Sequence, residues 1–379
     1  MRVEPFTIAI EDEVLSDLRE RILRTRWPDP APGAGWEQGS DLGYLQELLR
    51  YWADGFDWRA RERELNRFGH FRAEINGVPI HFVHQKASQP PGIPLILTHG
   101  WPSTFVEMLP LVPFLPGFDL VIPSLPGYGF SGRPARTGVN YRYVARMWHE
   151  LMRGLGYSRY GAHGTDFGSG VAALMALDEA DRMIGLHLTN LDIAPYTGPG
   201  SRPLSPAERA YLEQNTAWSR IESGYKAIQS TKPQTVGYGL TDSPAGLAAW
   251  IVEKWRSWSD SHGDVDARFS RDQLLTTLTI YWATRTITSS MRDYYDNRWT
   301  PVQLGPDDLI RVPAGIAVFA NEFVPEGVPP REWAERLYQV VRWTPMPAGG
   351  HFAAAEEPQA LSRDITAFFA QLGQSGATP

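Results

Sequence analysis

The sequence predicts an α/β fold with a mostly parallel sheet, interrupted by one helical insertion. Seven short apolar runs, "IHFVH" (80–84), "PLILTHG" (94–100), "DLVIPS" (119–124), "RYGAHG" (159–164), "IGLHLTN" (184–190), "IAVFAN" (316–321) and "QVVRWT" (339–344), mostly end in turn residues, as strands do. Helix-length segments separate several of them, among them Tyr141 to Leu155 and Gly168 to Glu179, and such alternation is the mark of a parallel sheet covered by helices. Between Tyr196 and about Trp299 the strand pattern vanishes, and helical, Trp-rich sequence such as "AGLAAWIVEKWRSW" takes its place. An inserted lid is the simplest reading of that stretch.

Ahead of the first run, Val14, Leu15, Leu18, Ile22 and Leu23 fall at helical spacing, and "DLGYLQELLRYW" from Asp41 repeats the habit. The predicted organisation is a helical leader over 1–75, an α/β core over 76–195 and 300–379, and a helical lid over 196–299. Within the lid's first residues, "TGPGSRPLSP" (197–206) reads as its hinge.

With 379 residues, 42% hydrophobic and 12% aromatic, the chain can bury a large core. A net charge of -7 without any Lys/Arg block speaks against nucleic acid or an anionic membrane as partner, because those ligands need a basic face. The absence of cysteine removes disulfides, thiolate metal sites and cysteine catalysis. The N-terminal "MRVEPFTIAIEDEVLSDLRE" places acids where a signal peptide needs an apolar run, and no window approaches ~18 uncharged apolar residues. A cytoplasmic protein without a membrane anchor is expected, and whether it is a homo-oligomer stays open on the sequence.

One stretch carries the chemistry. "AHGTDFGSGVAALMAL" (162–177) runs from a strand through Gly164-Thr165-Asp166-Phe167-Gly168-Ser169 into an apolar helix. Strand, then small-x-acid-x-small, then helix is the nucleophile elbow, a sharp turn that lifts one side chain above the sheet and needs small neighbours for close backbone approach. Asp166 occupies the position where serine usually stands. A bland alternative is an Asp that merely caps the helix.

Three further pieces follow in the order the α/β-hydrolase fold requires. "HGWPST" (99–104) follows a strand, where such enzymes carry an oxyanion-hole loop. His351 lies in "GGHFAAAEEP", after the last strand, and has the best context of the nine histidines. His163 sits on the elbow strand, His149 in the helical "RMWHELM" and His99 in the oxyanion loop, so each has a structural role as its simpler explanation. Glu322 follows "GIAVFA" and is placed to orient His351, while Asp192, after "HLTNL", is the rival acid from the preceding strand.

Residue type then selects the reaction. A carboxylate is already ionised at neutral pH and needs no base for its own attack. On an ester it would give only a mixed anhydride, whereas on a saturated carbon bearing a leaving group it gives a stable ester. His351, held by Glu322, becomes the base that activates water in a second step, and the N–H groups of Trp101 and Phe167 would hold the oxyanion formed on Asp166. An opening epoxide must in addition receive a proton, for which tyrosine is a suitable acid, and both "ESGYKAIQSTKPQTVGYGLTDSPAGLAAWIVEKW" (222–255) and "IYWATRTITSSMRDYYDNR" (280–298) carry tyrosines.

Across nearly its whole length the chain resembles the epoxide hydrolases of the microsomal and juvenile-hormone type. The resemblance runs from "RTRWPD" and "YWADGFDWRARERELNRFGHF" through "HGWP", "PSLPGYGFSG", "GTDFGS", "TKPQT" and "LTDSP" to "GGHFAAAEEP". It implies Asp166 as nucleophile, His351 as base, Glu322 as acid, and Tyr225 and Tyr294 as ring-opening proton donors, with Tyr295 adjoining the second. It also implies that no cofactor or metal is needed, that the substrates are a small-molecule epoxide and water, and that the protein is a soluble, bacterial-like member; the lid's aromatic residues imply that this ligand is apolar and bulky. Two other readings stay open on the sequence. A haloalkane dehalogenase shares the Asp elbow and would hold halide with indole N–H groups such as that of Trp101, and a ligand receptor could share the fold without catalysis.

Overall fold

All seven apolar runs form strands, and those at the sheet centre are buried on both faces, as strands flanked by helices must be. The computed structural model describes residues 1–375. Along the chain come β1 (Val3–Pro5), helices α1 (Asp12–Leu23), α2 (Leu42–Asp54) and α3 (Trp58–Leu65), then β2 (His70–Ile75), β3 (Val78–Gln85) and β4 (Ile93–Thr98). A 3-10 segment (Phe105–Phe114) leads to β5 (Phe118–Pro123), α4 (Tyr141–Gly154), β6 (Tyr160–Gly164), α5 (Phe167–Asp178) and β7 (Met183–Leu188). Seven helices follow without a strand: α6 (Pro206–Glu222), α7 (Gly224–Gln229), α8 (Pro233–Asp242), α9 (Pro244–Trp258), α10 (Val265–Arg268), α11 (Arg271–Thr284) and α12 (Ile287–Trp299). The chain closes with β8 (Ile310–Phe319), α13 (Arg331–Ala334), β9 (Tyr338–Met346), α14 (Ala353–Glu356) and α15 (Pro358–Ser375). Among the described residues no helix is long and apolar enough to cross a membrane.

The nine strands form one sheet in the order β1-β2-β3-β5-β4-β6-β7-β8-β9, antiparallel from β1 through β3 to β5 and parallel from β5 to β9. Helices α4 and α5 cover one face, and the 3-10 segment with α15 covers the other, giving a separate apolar cluster on each side. On the second side Phe368 is fully buried, and truncating such a ring to alanine costs about 3–5 kcal/mol. In this topology the parallel strands all end on one edge, where side chains from several loops can converge.

One expectation needs correction: the segment 1–75 is not purely helical. It supplies β1 and β2, which extend the sheet through the pairs Val3↔Ala73 and Phe71↔Phe82. Strand β1 is only three residues long and β2 has its middle residues partly exposed, so neither shows an apolar run. The turn between β2 and β3 was nonetheless marked: Asn76 (φ 53°) and Gly77 (φ 75°) form a two-residue hairpin in which both positions require the left-handed region. The leader's helices instead dock on the inserted ones. Trp52 Nε1–H donates to Thr279 Oγ1 at 2.9 Å, the Tyr51 hydroxyl to Asp272 at 2.8 Å and the Ser40 hydroxyl to the Ala249 carbonyl at 2.7 Å.

Candidate active site

The elbow lies between β6 and α5. Asp166 adopts φ 48° and ψ -129°, a backbone conformation that few non-glycine residues accept and that recurs where a side chain is held for function. Close approach explains the small neighbours. A Cβ on Gly168 would lie 2.0 Å from the Thr98 carbonyl oxygen, and one on Gly100 would lie 2.2 Å from Asp166 Oδ1. The capping alternative fails, because Asp166 makes no side-chain cap bond to α5. Its Oδ1 accepts instead from the Trp101 N–H at 2.8 Å, across from the end of β4. Phe167 opens α5, and its N–H is one of the first-turn donors that have no intrahelical acceptor.

His351 sits in the loop after β9 with 3% of its surface exposed. Its Nδ1 lies 3.2 Å from each Glu322 oxygen, and its Nε2 lies 3.5 Å from Asp166 Oδ2. Nε2 has no hydrogen-bond partner, so it is free to engage a molecule placed beside Asp166. Burial alone would lower the His351 pKa. The Glu322 carboxylate, and then Asp166, outweigh it and hold that pKa well above the ordinary histidine value. Glu322 is fixed in turn by the Val324 N–H at 2.8 Å and by Asn190 Nδ2 at 3.0 Å. The histidine loop is pinned through Glu356, a buried acid that accepts from the Gly350 N–H (3.1 Å) and the Phe352 N–H (2.9 Å).

Asp192, the rival acid, lies on the same edge but bonds elsewhere, accepting from the Tyr141 hydroxyl. Burial, with the charge of Asp166 added, pushes its pKa up to about 7. The other candidate histidines are structural. His163 Nδ1 bonds His187 at 3.0 Å, His149 bonds the Tyr160 hydroxyl, and burial drives His99 down to about 4.

The inserted helices roof this edge. A cavity of about 410 Å³ is lined by Asp166, Phe167 and His351 from below and by Tyr225 and Tyr294 from above. The Tyr225 ring stacks on Trp101 (centroids 5.5 Å, 6° between planes), and Tyr294 meets the Phe167 ring edge-on at 4.6 Å. Burial first, and the charge of Asp166 among the further causes, raises both phenol pKa values well above the usual 10, so both stay protonated at neutral pH. Tyr295 faces away, toward Trp299 (6.2 Å), and takes no part in the lining.

Beside the roof's aromatic residues, from which an apolar ligand is expected, the wall also presents Asp192, Ser223, Lys226, Asn297 and Glu326. The tryptophans are spent on packing: Trp255 stacks on Phe352 at 4.3 Å, and Trp258 meets the His351 ring at 4.9 Å. Asn190 escaped the sequence reading entirely. Its Oδ1 accepts from the Asp166 N–H (3.1 Å) and the Thr165 hydroxyl (2.9 Å) while its Nδ2 holds Glu322, so one amide joins the elbow to the acid. Nothing local in "HLTNL" marks it, since the signal is a spatial one between adjacent strand ends.

Known proteins are similar to this chain in sequence and fold. Residues 3–108 match the family described as epoxide hydrolase N terminus, and residues 93–208 match the α/β-hydrolase fold. Epoxide hydrolase 1 of Sus scrofa is 36% identical over 98% of this chain and 89% of its own. A crystal structure of juvenile hormone epoxide hydrolase from Bombyx mori superposes with a TM-score of 0.90 at 31% identity, covering 99% of this chain and 96% of that one. The Aspergillus niger epoxide hydrolase structure gives a TM-score of 0.86 at 31% identity over 98% and 97% of the two chains. Relatedness of this extent, over the leader, the core and the roof together, makes the chain a member of the epoxide hydrolase family of the microsomal and juvenile-hormone type.

Proposed function

We propose that the protein converts an epoxide to a vicinal diol through an ester on Asp166. The observation that carries this reading is one cavity lined at once by Asp166, His351, Tyr225 and Tyr294. The two Asp166 oxygens are already differentiated: Oδ1 is held by the Trp101 N–H, while Oδ2 faces the cavity beside His351. Oδ2 is therefore the attacking atom. It forms a bond to an epoxide carbon as that carbon's bond to the ring oxygen breaks, and Tyr225 or Tyr294 delivers a proton to the departing oxygen. The ester's carbonyl oxygen is then Oδ1, which stays against Trp101.

Ester formation removes the charge of Asp166 and with it part of what keeps His351 protonated. The imidazole gives up its proton to the tyrosinate left by ring opening and becomes a base when a base is needed. Nε2 takes a proton from water, the hydroxide adds to the Asp166 carbonyl carbon, and the Trp101 and Phe167 N–H groups stabilise the oxyanion on Oδ1. Collapse passes the proton of the added hydroxyl to the departing oxygen and expels the diol, leaving Asp166 a carboxylate and His351 protonated as in the free enzyme. Residues 196–299 serve as the lid over this site, with 197–206 as hinge, a role supported by the turns preceding Pro206 at the start of α6.

A halide-binding reading needs an indole N–H facing the cavity. Trp101 is fully buried under Tyr225 and is absent from the lining, which favours the epoxide. Single turnover of styrene oxide with excess enzyme in H₂¹⁸O tests the route. The first diol released should carry no label and the Asp166 peptide should gain it. Label in the first diol would mean direct attack by water and would sink the ester.

A further inference from the structure

The cavity wall holds a second carboxyl for which the reaction above has no use. Asp192 lies just past the end of β7, on the same edge as Asp166. One oxygen, Oδ2, accepts from the hydroxyl of Tyr141, the first residue of α4, and the Asp192 N–H donates to Ser169 Oγ at 3.4 Å. The group is thus held at the starts of two rigid helices while its carboxyl still lines the cavity. Lys226, the cation that acts on it, is itself ion-paired with Glu326 Oε1 at 3.6 Å. Glu326 lines the same wall, and its Oε2 is buried without a hydrogen-bond partner.

A hydrocarbon filling this space would strip water from Asp192 and offer nothing in return, and leaving an acceptor unpaired costs more than an average hydrogen bond yields. A ligand with a donor reverses the balance.

Accepting the epoxide-hydrolysis reading on which this rests, we propose that Asp192, oriented by Tyr141, is a hydrogen-bonding subsite for a donor on the substrate, so that the cavity is matched to epoxides carrying a hydroxyl or amide N–H away from the oxirane rather than to hydrocarbon epoxides. Asp192 is a specificity residue in this scheme, and Tyr141 positions it. The same cavity is also lined by Phe167, Tyr225, Tyr294 and Val324, which offer apolar surface to the carbon skeleton. Neither oxygen of Asp192 is asked to react.

A matched series of terminal alkyl epoxides, each with and without a hydroxyl at the far end, tests this by kcat/KM. For at least one chain length, at a pH above the raised Asp192 titration, the hydroxylated member should be favoured about 10- to 100-fold, the range of a hydrogen bond to a charged group. Asp192→Leu should collapse that ratio toward one. Asp192→Asn, which keeps an acceptor oxygen, should retain part of it, and Tyr141→Phe should fall between. A ratio at or below one in the wild-type enzyme at every chain length overturns the subsite, and so does an undiminished ratio in folded Asp192→Leu. Should Asp192→Leu fail to fold, as judged by its melting transition, the wild-type ratio and the Asp192→Asn variant decide. Turnover of both members without preference removes only this inference, whereas turnover of neither removes the hydrolase reading beneath it.

Discussion

The floor and the roof of the cavity are held by different forces. On the floor, Asp166 Oδ1, both Glu322 oxygens and His351 Nδ1 each have a directional partner, and the supporting loops are fixed by backbone N–H bonds to Glu356 and Asn190. On the roof, Tyr225 and Tyr294 are held by rings: Trp101, Phe167 and one another, with centroids 4.6 to 5.8 Å apart. Directional bonds fix atoms to a few tenths of an ångström, and ring packing fixes a surface while tolerating small shifts. The floor is therefore suited to bond making, and the roof to admitting substrates of differing shape. Substitutions should separate the two regions, with abrupt losses below and graded losses above.

The steepest loss belongs to Asp166→Asn. Removing a covalent nucleophile costs on the order of 10⁶-fold in comparable enzymes, and the side chain points into the cavity, so turnover should vanish while the melting temperature hardly moves. Full turnover in freshly purified Asp166→Asn would refute the ester route.

His351→Gln should lose steady-state turnover as completely but keep the first half-reaction. Intact mass after mixing with excess epoxide should show one adduct per chain, placed on Asp166 by peptide mapping. No adduct under any condition would move His351 into the opening step and blur the division between floor chemistry and roof proton delivery.

On the roof, Tyr294→Phe leaves Tyr225 as a remaining donor and should slow alkylation by about 10²-fold, the usual worth of one general acid. Added to His351→Gln, it should slow adduct formation by the same factor. An unchanged rate would assign proton delivery to Tyr225 alone.

Which parts were readable follows from the same contrast. The floor lies at strand ends, where motif and chain order coincide: Asp166 between glycines, then Glu322, then His351. Its cross-links are invisible because they join segments far apart, as Asn190 joins Asp166 to Glu322. On the roof, the choice between Tyr294 and Tyr295 was legible in principle. Ile287, Met291 and Tyr294 stand at i, i+4 and i+7 on α12 and are all buried, whereas Tyr295 is a further ~100° around the helix. The cavity's polarity was not legible, because counting tryptophans says nothing of where they point, and Trp255 and Trp258 point into packing. Of the sheet's first two strands, β1 was missed through its brevity and β2 because its middle residues are partly exposed, although Asn76-Gly77 announced the hairpin.

A smaller effect should appear with pH. As the proposed base His351 works only when unprotonated, and its pKa is raised in the free enzyme by Glu322 and Asp166. With Asp166 esterified, one of those charges is gone. Hydrolysis of a preformed ester should therefore slow as pH falls through a midpoint below the His351 titration of the free enzyme, measured by NMR on the same protein. Coincident midpoints would show that Asp166 has no hold on the base.

The smallest effect tests whether the leader clamps the roof. Trp52 is buried on α2 and donates from Nε1 to Thr279 on α11, so Trp52→Phe keeps the ring's packing largely intact and deletes one bond between the two segments. A neutral buried hydrogen bond is worth about 1 kcal/mol, rising to about 3 when its partner is left unsatisfied. Here the loss should sit at the low end, because the Thr279 hydroxyl can turn to a carbonyl of its own helix. Floor and roof should respond unequally. Ester hydrolysis depends on Trp101, Phe167, Glu322 and His351, none of which bonds to Trp52 or Thr279, and should keep its rate, while alkylation, which needs the tyrosines in place, should slow by a factor of a few. Equal slowing of both steps would mean that the leader stabilises the molecule as a whole, and that the roof has no separate support through Trp52.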